Sequence, residues 1–205
     1  MANKINYAFR ITHINNISHI AKYGIVKASS PLYDKNFQPI GDSQVINLRK
    51  SKVIKGYHIG DYIPFYFGPR SPMLYVIQHG YNGVQRVEPE EIVYCVIKLA
   101  DLIANNIECI FTNGHALNLL TSFYTKGNLV NIDSIINYND VYSSQWNLEG
   151  DRDLKRRKEA ELLIKDDLPA KYIKGYVVYN EKAKQTLIGK GIIGNLIAVM
   201  PNYYF

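Results

Sequence analysis

A mixed α+β fold built around a mainly antiparallel sheet is the architecture that this 205-residue sequence predicts. Three observations carry that expectation. Short segments rich in aromatic and β-branched residues recur along the chain, each bounded by turn formers. Helical periodicity is confined to two or three small stretches. No internal repeat or low-complexity linker divides the chain, so residues 1–205 read as one domain, and the length suits a single sizeable core.

The elements follow in order. Residues 7–11 alternate as a strand does, and Ile17, Ile20 and Ala21 then share a helical face that Gly24 closes with a left-handed cap. Residues 29–55 are polar and turn-rich and hold a basic cluster of Arg49, Lys50, Lys52 and Lys55. Strands are expected over 62–67, 74–78, 92–99 and 106–111, and a short helix over 116–124. Residues 125–150 are polar and poorly periodic, and a loop of that length in a compact domain is commonly functional. A basic run, residues 152–158, leads into 160–164, read as a short buried strand because Pro169 follows soon after. Strands at 172–179 and 195–200 complete the set.

The formal charge of +6 and pI near 9.1 favour an anionic partner, a nucleic acid or a phosphorylated small molecule. Cys95 and Cys109 lack metal-ligand spacing and read as small buried residues. Most of the 17 tyrosines are assigned to packing and a few to a ligand. Signal-peptide character is lacking at Met1-Ala2-Asn3-Lys4, and no run reaches the ~18 to 20 apolar residues of a membrane span. The expected location is cytoplasmic, with no membrane partner.

No metal motif, phosphate-cradling glycine loop or nucleophile elbow is present. Gly189-Lys190-Gly191-Ile192-Ile193-Gly194 matches a dinucleotide fingerprint on its face, but no room remains for the following βαβ unit, and it reads as a turn. Glu161 is the better lead. In a strand it shares a face with Leu163 inside an apolar run, where a carboxylate must be paired, solvated by a cleft or perturbed. Two readings stay open for it: a functional carboxylate, or a strand-end residue paired with Arg157 or Lys158. Arg49 and its lysines are either a solvated loop face or a pyrophosphate site, where a bidentate guanidinium outperforms a lysine. His13, between Ile11 and Ile14, suits a core histidine, whereas His115 follows a strand end and a glycine, where loop residues carry function.

The segment Asp61-Tyr62-Ile63-Pro64-Phe65-Tyr66-Phe67-Gly68-Pro69-Arg70-Ser71-Pro72-Met73-Leu74-Tyr75 is unusual, because three prolines interrupt a strand-like aromatic run and imply a rigid, shaped surface. It closely resembles the signature of the DarT DNA ADP-ribosyltransferases. In the same order, Arg10-Ile11-Thr12-His13-Ile14, Asn47-Leu48-Arg49, Phe111-Thr112-Asn113-Gly114-His115-Ala116 and residues 156–162 resemble further family segments. The resemblance covers nearly the whole chain. It implies an ADP-ribosyltransferase-like fold, a split, mainly antiparallel β-core with small flanking helices and an NAD cleft. By that resemblance Glu161 and Arg49 are the catalytic pair, and His13, Asn16, Tyr66 and Met73 serve NAD. Arg70, His115, Arg156 and Arg157 serve the nucleic acid, and residues 125–150 with the basic run form the substrate-recognition loop.

The implied reaction is transfer of ADP-ribose from NAD to a base, thymine by preference, in single-stranded DNA, with no metal required. The implied role is that of a toxin neutralised by a macrodomain antitoxin resembling DarG. Alternatives are transfer to guanine, RNA or protein, an NAD-dependent RNA 2′-phosphotransferase on the same fold, or a non-catalytic nucleic-acid-binding module.

Overall fold

Ten strands and seven α-helices of five to nine residues make up the regular structure of the computed structural model, which describes residues 4–54 and 56–205. In chain order they are β1 (Tyr7–His13), α1 (Ile17–Tyr23), α2 (Ser43–Ser51), β2 (Val53–Ile54), β3 (Tyr57–His58), β4 (Ile63–Tyr66), α3 (Pro72–His79) and β5 (Ile92–Lys98). Then come α4 (Leu99–Ala104), β6 (Cys109–Thr112), β7 (Phe123–Thr125), α5 (Tyr138–Tyr142) and α6 (Leu154–Lys158). The last are β8 (Glu161–Ile164), β9 (Ile173–Val178), α7 (Glu181–Gly189) and β10 (Ile197–Val199).

Eight strands form one sheet in the order β10-β9-β5-β1-β4-β8-β6-β7, antiparallel throughout except at β10·β9. The expected α+β class with a mainly antiparallel sheet is therefore what the chain adopts. At its middle the sheet is weakly joined. β1 and β5 are in register over seven residue pairs, whereas β1 and β4 share only Phe9 opposite Tyr66. The sheet is thus split between β1 and β4.

Strand alternation explains how both faces are covered. Val93, Cys95 and Ile97 of β5 join the larger core with Phe65, Leu162 and Ile164, while Ile92 and Tyr94 join Phe9, Leu74 and Ile77 on the other side. Tyr204 binds that second face with its hydroxyl, which lies 3.0 Å from the carbonyls of both Ile92 and Val177. Both cysteines are buried and free.

Several elements differ from expectation. Residues 74–78 lie in α3, not in a strand: Ser71 caps the helix by accepting from the Leu74 amide, and Pro72 occupies its first turn. Residues 116–124 form no helix but a turn running into β7. The polar stretch 29–55 contains α2, capped by the Asp42 carboxylate, and α7 is a further helix missed by sequence periodicity. Gly24 has φ 87° and ψ −168°, a positive φ but an extended ψ, and a Cβ there would lie 2.0 Å from the Leu168 carbonyl oxygen. Gly189 and Gly194 bracket a turn, Gly191 having φ 89°. Lys55 lies outside the described residues. Among those described, no helix is long and apolar enough to cross a membrane.

Candidate active site

A cleft of about 540 Å³ opens along the split, with Arg10, Ile11 and Thr12 of β1 on one side and Ile63, Pro64 and Tyr66 of β4 on the other. That volume is within the range of small-molecule sites, roughly 300–1,000 Å³. Pro64 helps to keep the strands apart. In an extended strand a residue's N–H and C=O point the same way, and the Pro64 carbonyl faces β1, where it accepts from Arg10 Nη1 at 2.9 Å. Proline has no N–H to offer on that side, so an arginine takes the place of a ladder bond.

Glu161 stands opposite Tyr66 in the β4·β8 register, on the same face as Leu163. Its carboxylate is buried and held from two directions. Oε1 accepts the Ala116 amide at 2.9 Å, and Oε2 lies 2.9 Å from Arg49 Nη1, the side chains being 1% and 12% exposed. The pairing with Arg157 or Lys158 left open above does not occur. The Arg49 contact is an ion pair out of line for a hydrogen bond, and Glu161 Oε2 and Arg49 Nη2 are both buried without hydrogen-bond partners. A buried acceptor and a buried donor left unused are costly in a finished core and suit a site completed by a ligand.

The surroundings explain how this pair is held. Thr112 Oγ1 accepts the Glu161 amide at 3.1 Å and donates to the Gly114 carbonyl at 2.7 Å, fixing the turn that presents Ala116. Gly114 has no room for a side chain, since a Cβ would lie 2.9 Å from the Arg156 carbonyl oxygen. Gly60 lets α2 approach: a Cβ there would be 2.7 Å from the Lys50 Cα and 3.0 Å from the Arg49 carbonyl oxygen. Burial, followed by the Glu161 and Glu159 carboxylates, pushes the Tyr66 hydroxyl far above the usual phenol range, so it stays a neutral donor. Burial holds His115 below the usual histidine range; the Glu161 charge opposes this and Arg49 reinforces it. Glu159, desolvated beside this group, is pushed up to about 7.

Of the residues expected at the site, Arg49, Tyr66, Met73 and His115 line the cleft, and Glu161 sits directly behind Arg49. Lys50 lines it too, as does Lys27, so the cleft carries four cations when Arg10 and Arg49 are included, against the two carboxylates of Asp34 and Asp42. Asn16 and His13 do not reach the wall. Asn16 is buried and clips Gln38, donating to its carbonyl and accepting its amide, both at 2.8 Å, and so steadies the Phe37–Gly41 side of the cleft. His13 accepts the Asn15 amide through Nδ1, and its Nε2 lies 3.8 Å from Glu91; burial lowers its pKa.

The three arginines expected to face nucleic acid are engaged internally. Arg156 makes a two-point contact with Asp153, both bonds 2.7 Å, and also reaches Asn113. Arg157 meets Asp140 and Asp151 at 2.6 Å and Asp153 at 3.2 Å. Arg70, in a left-handed conformation with φ 52°, donates to the Tyr142 carbonyl and leaves Nε buried without a partner. Sequence reasoning missed Arg10 as a wall residue; the signal was a lone cation within an apolar strand. It also missed the Ala116 amide, for which no side-chain signal exists.

A family model described as "DarT: ssDNA thymidine ADP-ribosyltransferase, DarT" matches residues 9–205. The "DNA ADP-ribosyl transferase" of Escherichia coli O127:H6 is 31% identical over 191 residues, covering 87% of this chain and 83% of that protein. A "DNA ADP-ribosyl transferase-DNA ADP-ribosyl glycohydrolase fusion protein" of Thermosipho africanus is 28% identical over 199 residues, 96% of this chain and 48% of the fusion. Among solved structures, "Thermus sp. 2.9 DarT in complex with ADP-ribosylated ssDNA" superposes with a TM-score of 0.82 at 21% identity, covering 100% of this chain and 99% of that one. The same Thermus protein in complex with NAD+ gives 0.76 at 22%, with both chains covered in full. The fold is therefore that of the ADP-ribosyltransferases, and the chain belongs to the DarT family.

Proposed function

We propose that this chain transfers ADP-ribose from NAD to a thymine base in single-stranded DNA, in the cytoplasm, as the toxin of a toxin–antitoxin pair. The observation that carries the reading is the buried Glu161–Arg49 pair at the wall of the cleft, each partner keeping one buried polar atom without a hydrogen bond. Four cations suit the pyrophosphate of NAD, and a guanidinium grips such a group with orientation. Because Arg49 covers Glu161, an anion that draws the guanidinium into the cleft also frees the carboxylate.

Breaking the bond between nicotinamide and ribose builds positive charge on the sugar, as in glycoside cleavage. Glu161, fixed by the Ala116 amide and low in solvent, offsets that charge and accepts from a ribose hydroxyl. Tyr66, a neutral phenol, donates to the bound substrate, and Met73 packs against it. His115, neutral at pH 7, lines the cleft and meets the acceptor base. Arg70 is the cation best suited to the acceptor strand, since its Nε remains without a partner. Arg156 and Arg157 act on the acceptor only by shaping the loop, their guanidiniums being held by Asp140, Asp151 and Asp153. The Thermosipho relative joins a transferase to a glycohydrolase in one chain, which supports a macrodomain antitoxin resembling DarG as the partner that reverses the modification.

Incubation with adenine-labelled NAD and single-stranded DNA, duplex DNA, RNA or bulk protein tests the reading. Label on thymine-containing single strands is expected, because a duplex hides base edges at an unstacking cost of a few kcal/mol. Label confined to RNA or protein, or no label at all, contradicts it.

A further inference from the structure

Lys158, the last residue of α6, is buried at 2% exposure. Its ammonium donates to the carbonyls of Pro69 at 3.4 Å, Val141 at 3.1 Å and Ser143 at 2.5 Å. Three donors thus meet three acceptors. Among the described residues, no carboxylate oxygen lies within 4.0 Å of it.

These acceptors belong to two separate segments. Pro69 is in the turn between β4 and α3, while Val141 and Ser143 are at the C-terminal end of α5. A helix end leaves carbonyls without partners and favours cations. Arg70 Nη2 takes the intervening carbonyl, that of Tyr142, at 3.1 Å. The two segments touch through backbone, since a Cβ at Gly68 would lie 2.0 Å from the Val141 oxygen. From Ser143 the chain enters the loop that carries Trp146 and returns through α6 to Glu161.

We propose that Lys158 is a positioning residue for the acceptor strand: its ammonium ties the turn after β4 to the end of α5 and so sets the loop that leads into the Glu161 strand. The inference rests on the reading of the chain as a DNA ADP-ribosyltransferase. A methionine of similar volume would avoid the desolvation of a buried charge, so the charge is retained at a cost and has a directional use here. Burial, aided by Arg70 and opposed by Glu159, brings Lys158 down to about 8. The remaining charge facing it from α5, Asp140, is paired with Arg157.

The sign of the pH effect separates this role from simple support of the fold. Lysine in the unfolded chain titrates at about 10.4, so between about 8 and 10.4 the unfolded chain holds a proton that the folded one has released. Lys158 therefore makes the fold more stable as pH rises through that window, while its grip on three carbonyls weakens. Acceptor recognition falls where stability does not.

Trp146 is the sole tryptophan and lies in the affected loop, so its emission reports the loop independently of catalysis. Between about pH 7 and 9.5, below ordinary tyrosine ionisation near 10, the wild type is expected to show a transition with midpoint near 8. Lys158→Met and Lys158→Arg should lose the step near 8, leaving only the tail of Glu159 titration near 7, the arginine remaining charged throughout. In transfer assays Lys158→Met should raise KM for a single-stranded oligonucleotide about 10-fold or more while KM for NAD is unchanged, and Lys158→Arg should restore most of the loss. The ratio of wild type to Lys158→Met in kcat/KM for DNA should shrink as pH passes 8, a comparison that cancels titration of the acceptor itself. No Trp146 transition in the wild type, or a folded Lys158→Met with wild-type KM for DNA, overturns the proposal. If the wild type labels no oligonucleotide, the functional reading fails, and the Trp146 transition still decides whether the clamp exists.

Discussion

Replacing Glu161 by glutamine separates charge from shape at the centre of the site. The amide keeps an oxygen for the Ala116 N–H but turns an NH2 toward Arg49, which now stands 2.9 Å from the displaced oxygen. At that separation the gross attraction lost is about 6 kcal/mol with an effective dielectric of 20, only part of it offset because Glu161 no longer buries a charge while Arg49 still does. Breaking a buried pair from one side costs about 3–5 kcal/mol. The low end applies here, because α2 buries no residue fully and Arg49 can turn toward the cleft. Transfer should suffer more visibly: loss of one charge-stabilising group lowers kcat about 100- to 1,000-fold. The assay is single-turnover transfer to a single-stranded oligonucleotide, read beside the thermal midpoint and NAD binding. A folded Glu161→Gln protein that binds NAD and turns over within a few-fold of wild type would remove Glu161 from the chemistry and leave it a structural ion pair.

Three further perturbations follow from the same geometry. Asn16→Ala removes the clip on Gln38 and leaves buried groups unpaired, so KM for NAD should rise about 10-fold with a smaller change in kcat; an unchanged KM would detach this clip from the cleft. Arg157→Ala leaves Asp140 and Asp151 without their cation and Asp153 with Arg156 alone, so Tm should fall by about 2–4 °C, while the salt dependence of DNA binding stays as it was. The reverse pattern, a steady Tm and a flatter salt slope, would place Arg157 on the acceptor. His115 titrates below its unfolded value, so on acidification from about 6.5 the unfolded chain gains a proton first and stability falls. His115→Asn should therefore flatten the decline of Tm between about pH 6.5 and 5, and identical slopes would contradict the burial of a neutral ring.

Strands were the most legible elements, for a physical reason. β1, β5, β8 and β9 pack side chains on both faces of one sheet, so their apolar and β-branched character follows directly from burial. The helices are short and lie at the margin. α2 has no fully buried residue and therefore no apolar stripe to read, and its only mark is the capping Asp42. In α3 the run Tyr75-Val76-Ile77 suggested a strand, although Ser71 followed by Pro72 is a helix-start signal that outweighs propensity. Residues 116–124 misled in the other direction: Leu119 and Leu120 are exposed, and the turn is held by polar bonds such as Ser122 N–H to Asn113 Oδ1. At the site, Glu161 was legible as a carboxylate in an apolar strand. Its partnership with Arg49 was not, since 112 positions separate them and only the approach of α2 over Gly60 brings them together. The basic run before β8 suggested a solvated or phosphate-binding face because sequence shows cations without showing that Asp140, Asp151 and Asp153 fold back onto them.

The most direct measurement is fragmentation mass spectrometry of a single-stranded oligonucleotide bearing one thymine, after reaction with NAD and either the wild type or Glu161→Gln. The account predicts one ADP-ribose on the thymine base with the wild type and almost none with the variant. Modification of guanine or of a terminal phosphate, or equal yields from the two proteins, would contradict it.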